Sequence, residues 1–366
     1  MKAIIYGAGS IGRGFISELM FKSFFDIVLI DVDTNLITLL NEKKMYPLTL
    51  ISQKKEETIN IPIKKIINGN DSVSIINEIR NCDIIFTAVG TNALKYIAKN
   101  LAMGLNLRKD SVNIILCENM VDANIKMGNL LLQYMDSLDK VGLLRASVGR
   151  MVPVSLTKNN LLSVKAEPYY NLPVDGDGIV GILPEFIGLI KVSPFDYAID
   201  KKLYIHNLGH VACAWLGQKY NYEYIYECLE VKEIKDTVYR AMHEAALGLI
   251  AKYNCSKEEL DEHIDDLIYR FSNNKLKDTV KRVGKDTKRK LSSTDRVVGA
   301  LNLCIKYNIE NEAIVEIIKA GLLFKNDDEG TNYVQTMIIS KGVASVITDI
   351  CGINQNSKVF KKLSGF

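Results

Sequence analysis

The chain opens KAIIYGAGSIGRGF, a short apolar run from Ala3 to Tyr6 followed at once by Gly7, Gly9 and Gly12 in the spacing GxGxxG, with Gly14 beyond. That order constrains the fold more than any other feature of the sequence. The apolar run reads as a buried strand, and Ile11 to Leu19 carry a pattern compatible with a helix. The glycines between them have separate tasks: a tight turn, a close approach of backbone to a pyrophosphate, and a close helix–strand contact. The helix N-terminus offers free N–H groups and the positive end of its dipole to the phosphates. Gly7, Gly9, Ser10, Ile11 and Gly12 are therefore the candidate cofactor contacts of this turn.

A second strand, DIVLIDVD, ends with Asp31, nineteen positions after Gly12. Its carboxylate is placed to accept hydrogen bonds from ribose hydroxyls. It would repel a 2′-phosphate, and the Val-Asp-Thr-Asn that follows offers no cation to receive one. NAD rather than NADP is the expected cofactor. Further strand-like runs follow at intervals suited to α/β units: CDIIFTAVG (82–90) and NIILCENM (113–120). Both end in small or polar residues at the carboxyl edge, where ligands bind in such sheets, which adds Val89 and Gly90 to the cofactor set. RASVGRMVP and LLSVKAEPYYNL continue the first half, and the GDG at 176–178 and Pro194 punctuate its end. An α/β Rossmann-type dinucleotide-binding domain is expected over residues 1–190.

At 366 residues the chain is long enough for a second core. No proline follows Pro194, and long amphipathic patterns such as VKEIKDTVYRAMHEAALGLIAKY predict a mainly α-helical domain over 191–366. The segment KLKDTVKRVGKDTKRKLSSTDR (275–296) is strongly basic. It reads either as a solvated face or as an anion site in which Arg282, Lys285, Arg289 and Lys290 converge.

A net charge of +3 points to neither nucleic acid nor membrane as a partner, and no apolar stretch reaches the length of a membrane span. The seven cysteines are scattered without a CxxC pair, which suggests neither a disulfide framework nor a structural zinc site. The N-terminus lacks the pattern of a signal peptide, so a cytoplasmic protein is expected.

Alcohol oxidation by a nicotinamide enzyme needs a base for the hydroxyl proton and donors for the oxygen. No GxSxG is present, no metal-ligand spacing is recognisable, and the acidic DEHIDD (261–266) reads as a solvated helix turn. KKLYIHNLGHVACAWLG (201–217) remains, a core-like segment holding two of the four histidines. On a helix at about 100° per residue, His210 lies about 80° round from Lys202 and Asn207 about 140°, one broad arc, with Lys201 about 180° from His210. The plainer reading makes His210 a satisfied core histidine and lets the lysines snorkel to solvent. The sharper one points Lys202, Asn207 and His210 into a shared cleft, with His206 lining it.

YGAGSIGRGF, CENMVDAN, KLYIHNLGH, RFSNNKLKDTVKRVGKDTKRKLSSTDR and a DDEG near 328 together make the chain resemble the polyol-specific long-chain dehydrogenases, the mannitol dehydrogenase family, nearly end to end. Lys202, Asn207 and His210 match the K-x4-N-x2-H of that family's active site. The resemblance implies a metal-independent, NAD-dependent and reversible oxidation of D-mannitol 1-phosphate to D-fructose 6-phosphate. It makes Lys202 the general base, with Asn207 and His210 on the reacting oxygen. It places Asn119 against substrate, Arg282 and Lys290 on the polyol chain, and Lys285 and Arg289 near the phosphate. The partner is then a small sugar or polyol phosphate, and the state a monomer or homodimer. Relatives carry Asp-Arg where this chain has Gly149-Arg150, which leaves open an unphosphorylated polyol or hexuronate as substrate, or a non-catalytic NAD-binding sensor.

Overall fold

The computed structural model describes residues 1–153 and 160–365. The chain divides into two compact units, Met1–Ile199 and Asp200–Phe366. Among the described residues the first unit holds eleven strands: β1 (Lys2–Tyr6), β2 (Asp26–Asp31), β3 (Met45–Ile51), β4 (Glu56–Pro62), β5 (Lys65–Asn68), β6 (Ile84–Thr87), β7 (Val112–Leu116), β8 (Val141–Arg145), β9 (Val164–Ala166), β10 (Leu172–Asp175) and β11 (Leu189–Val192).

Six of them form one sheet in the order β5-β2-β1-β6-β7-β8, every pair parallel. This is the doubly wound order, and its direction reverses between β1 and β6. Alternation along each strand sends side chains to two separate cores. Ala3, Ile5, Ile27, Leu29, Ile84 and Phe86 enter one, and Ile4, Tyr6, Val28, Ile30, Ile85 and Leu116 the other. Both faces are therefore covered, as a parallel sheet requires. Outside it, β3 and β4 form an antiparallel hairpin that β9 joins in parallel, and β10 pairs with β11.

By its internal packing the first unit runs to Ile199. Register with β10 carries β11 into it, and Asp196 Oδ1 receives a hydrogen bond from Arg145 at 3.0 Å.

A buried ion pair fixes the first helix. Arg150 donates to Glu18 Oε2 at 2.5 Å, to the Gly14 carbonyl at 2.9 Å and to the Glu167 carbonyl at 2.6 Å. Its guanidinium also lies over the Phe15 ring. The two charged side chains are 0% and 1% exposed, so neither is compensated by water.

Among the described residues the second unit is built of helices with one isolated β-bridge, Tyr224–Thr279. Its centre is Lys232–Tyr253, against which Leu208–Gln218, Lys257–Phe271, Val298–Lys306 and Glu312–Leu323 pack. Ser256 caps one helix through Glu259 N, and Asp328 caps another through Thr331 N. Trp215 is fully buried and donates Nε1–H to the Gly284 carbonyl at 3.0 Å. Close approach there needs Gly321, since a Cβ on it would stand 2.5 Å from the indole. No helix among the described residues is long and apolar enough to cross a membrane. Fold class thus follows the sequence expectation in both units.

Arg150→Met should destabilise the N-terminal unit by about 3–5 kcal/mol, because Glu18 loses its buried partner and keeps the half-exposed Lys22. Urea unfolding followed by a probe in that unit measures it.

Candidate active site

At the carboxyl edge of the sheet, β1 is followed by Gly7, whose φ of +92° a side chain would resist. A Cβ on Gly12 would stand 1.9 Å from the Gly7 carbonyl oxygen, so the helix entered at Ser10 packs directly on the turn. Gly9 faces open space, and so does Gly90 at φ +85° after β6. Gly7, Gly9, Ser10, Ile11 and Gly12 thus gather with Val89 and Gly90 at the reversal point of the sheet.

Asp31 Oδ2 accepts Ala8 N–H at 2.6 Å, and Oδ1 accepts those of Val32 and Asp33 at 2.7 and 3.0 Å. A carboxylate takes about four hydrogen bonds, so this half-buried one has capacity left for a hydroxyl. The open cradle, the glycine turn and this anchored acid fit a dinucleotide.

Two features of this half were not anticipated. Glu118 is buried between β6 and β7, accepting Thr87 Oγ1–H at 2.6 Å and Val89 N–H at 3.2 Å. Burial pushes its carboxyl up, against those hydrogen bonds. It is the acid of the CENM motif, beside exposed Asn119. Gly149 abuts Tyr169: a Cβ there would stand 3.3 Å from the ring, so an aspartate would press on the tyrosine.

In the second unit, Lys202–Asn207 is not regular α-helix but a π turn, continuing into Leu208–Gln218. This corrects the projection at 100° per residue. An i→i+5 turn brings residues five apart toward one another, so Lys202 and Asn207 lie closer around the axis than 140°. Lys201 leaves this face and pairs with Glu259 at 2.7 Å.

His206 is buried, edge-on to Phe271. Burial first, then Arg270, His210, His263 and Lys202, drive its pKa well down, so it is neutral. His210 stacks flat on Phe271, centroids 4.7 Å apart at 8°. Its Nε2 lies 3.1 Å from Asp278 Oδ2, and the carboxylate stands off the axis of the ring N–H. Asp278 in turn takes two hydrogen bonds from Arg282, the one from Nε to Oδ1 at 2.6 Å. Burial alone would raise the Asp278 carboxyl; His210 and Arg282 outweigh it and hold it well below the usual range.

The four cations of the basic segment have separate neighbours. Arg282 belongs to the His210–Asp278 group, and Arg289 binds Asp286 and Asp295. Lys290 is buried, donating to the Val283 carbonyl at 2.6 Å and to that of Lys285; burial pushes it down to about 7. Lys285 is exposed and lines a cleft of about 490 Å³ with Lys288, Asp328 and Tyr333. Asp278 and Phe271 escaped the sequence reading. The only local sign of Asp278 was its place four residues before Arg282.

A family model described as the mannitol dehydrogenase Rossmann domain matches residues 1–188, and one for the mannitol dehydrogenase C-terminal domain matches 191–364. A mannitol-1-phosphate 5-dehydrogenase of Buchnera aphidicola subsp. Schizaphis graminum is 33% identical over 371 residues, 98% of this chain and 95% of that protein. The Bacillus subtilis protein of the same name is 32% identical over 378 residues, the full length of both. Among solved structures, a substrate-free D-sorbitol dehydrogenase aligns at TM-score 0.76 and 15% identity, covering 88% of this chain and 80% of that one. Pseudomonas fluorescens mannitol 2-dehydrogenase, a ternary complex with NAD and D-mannitol, aligns at 0.71 and 15%, covering 97% and 87%. The structures show a shared fold, and with two family models that between them run from residue 1 to 364, the chain belongs to the mannitol dehydrogenase family.

Proposed function

We propose that the chain is an NAD-dependent polyol-phosphate dehydrogenase that interconverts D-mannitol 1-phosphate and D-fructose 6-phosphate. The observation that carries this reading is the near full-length similarity to relatives named mannitol-1-phosphate 5-dehydrogenase. The open glycine cradle and the anchored Asp31 support NAD as the cofactor. Phosphate specificity rests on the relatives rather than on a converged cluster, since Arg282, Arg289 and Lys290 each have local partners. Exposed Lys285 and Lys288 are the cations of this segment that line an open cleft. Free cysteines throughout the chain support a cytoplasmic setting.

NAD, when bound, supplies the hydride acceptor. Lys202 takes the proton of the C5 hydroxyl on its Nζ, which requires the amine to be neutral. Asn207 and His210 hold the oxygen as charge develops on it, and one such donor is worth about 3–4 kcal/mol. Arg282, anchored by two of its five N–H donors, has the others for a substrate oxygen. In the reverse direction the Lys202 ammonium returns the proton to the ketone oxygen.

NADH oxidation should be rapid with fructose 6-phosphate and slow with fructose; equal kcat/KM for the two would move the assignment to an unphosphorylated polyol, and no turnover with either would favour a sensor. Lys202→Ala should lower kcat by about 10²–10⁴-fold while the Kd for NADH, read by fluorescence, stays within about twofold. Asp31→Asn keeps an acceptor but removes the charge, so KM for NAD should rise about tenfold and the preference over NADP should narrow.

A further inference from the structure

We propose that Asp278 is a positioning residue for this reaction, a single carboxylate that sets the His210 ring and the Arg282 guanidinium together. The inference rests on the proposed dehydrogenase activity and adds a residue outside the K-x4-N-x2-H set. Its basis is geometric. Oδ2 lies 3.1 Å from His210 Nε2, and both carboxylate oxygens accept from Arg282. The Asp278 side chain is 11% exposed whereas that of Arg282 is 59% exposed, so the acid is the inner, fixed member and the arginine the outer one.

The main chain around Asp278 is fixed independently of its side chain. Ile225 N–H donates to the Asp278 carbonyl and Val280 N–H to the Glu223 carbonyl, both at 2.9 Å, on either side of the Tyr224–Thr279 bridge. Thr279 then caps the helix Val280–Gly284 by accepting Arg282 N–H. The carboxylate is therefore presented from a hydrogen-bonded corner of main chain, and Phe271 stacks flat on the imidazole.

With the Asp278 carboxylate 3.1 Å away on the Nε2 side of the ring, Nδ1 is the nitrogen on the side away from it, the one to meet a substrate oxygen. A fixed carboxylate on one side of the ring and Phe271 stacked on its face set the ring's orientation, and with it the direction of Nδ1. The same carboxylate keeps the arginine from swinging into solvent, where its side-chain entropy would otherwise take it. Asp278 thus acts on both quantities that kinetics separates: kcat through His210, and KM for the sugar phosphate through Arg282.

The experiment begins with wild-type turnover of fructose 6-phosphate; none at all overturns the proposed activity and this inference with it. Given turnover, Asp278→Asn should lower kcat about 10–100-fold and raise KM for fructose 6-phosphate about fivefold or more, with NADH affinity within about twofold. In a His210→Asn background the same change should leave kcat within about twofold and still raise KM. Wild-type kcat and KM in Asp278→Asn, or equal kcat losses in both backgrounds, overturn the inference alone. If Asp278→Asn does not fold, Asp278→Glu keeps the charge and moves the oxygens. It should then lose about fivefold in kcat with NADH binding retained, and a normal kcat would overturn the role.

Discussion

The turn at Gly7 is enclosed by main chain on several sides. Its N–H donates to the Ile30 carbonyl at 2.8 Å, its carbonyl lies against Gly12, and a Cβ of its own would stand 2.4 Å from the Ala88 carbonyl. The ends of β1, β2 and β6 are thereby drawn together through main-chain contacts. Asp31 can then reach Ala8 N–H across the turn, and Val89 and Gly90 can face the same opening. Glu118 secures the far side through Thr87 and Val89. Contact between backbones, rather than any one charged group, sets the shape of the cofactor half.

Electrostatics organises the second unit differently. The basic segment carries its own acids at helical spacing, so Asp278 takes Arg282 four residues on and Asp286 takes Arg289 three residues on. A run with that interleaving satisfies itself locally before it can converge on a distant anion. Lys290 instead turns its amine inward to the Val283 and Lys285 carbonyls at the end of the preceding helix. Its low pKa is the cost of that burial.

What the sequence disclosed follows the range of each signal. Strand β1 was legible because period two sends Ile4 and Tyr6 to one core and Ala3 and Ile5 to the other. The glycine turn and Asp31 were legible because their spacing is a short-range property of one βαβ unit. The β3–β4 hairpin was not read, and neither was the attachment of β11, since both depend on pairing with chain elsewhere. In the site, Lys202, Asn207 and His210 could be selected from one segment. Asp278 and Phe271 could not, because tertiary packing alone brings them to His210. The π turn was invisible for a different reason: side-chain periodicity assumes a regular helix, and the extra residue is a main-chain fact.

That turn has a consequence for how the segment tolerates change in length. A π turn is a helix carrying one residue more than its hydrogen-bond ladder accommodates, with poorer stacking than the flanking α-helical turns. Removing one residue between Lys202 and Asn207 would restore an unbroken ladder and a more regular helix, while rotating everything before the deletion relative to everything after it. A change of length at this place thus meets two opposed demands, since the shorter helix is the more regular one and the longer one brings the lysine and the asparagine closer around the axis. Local helical stability is given up here for alignment, at a cost that the buried Ile205, Leu208 and Val211 beside it are placed to offset.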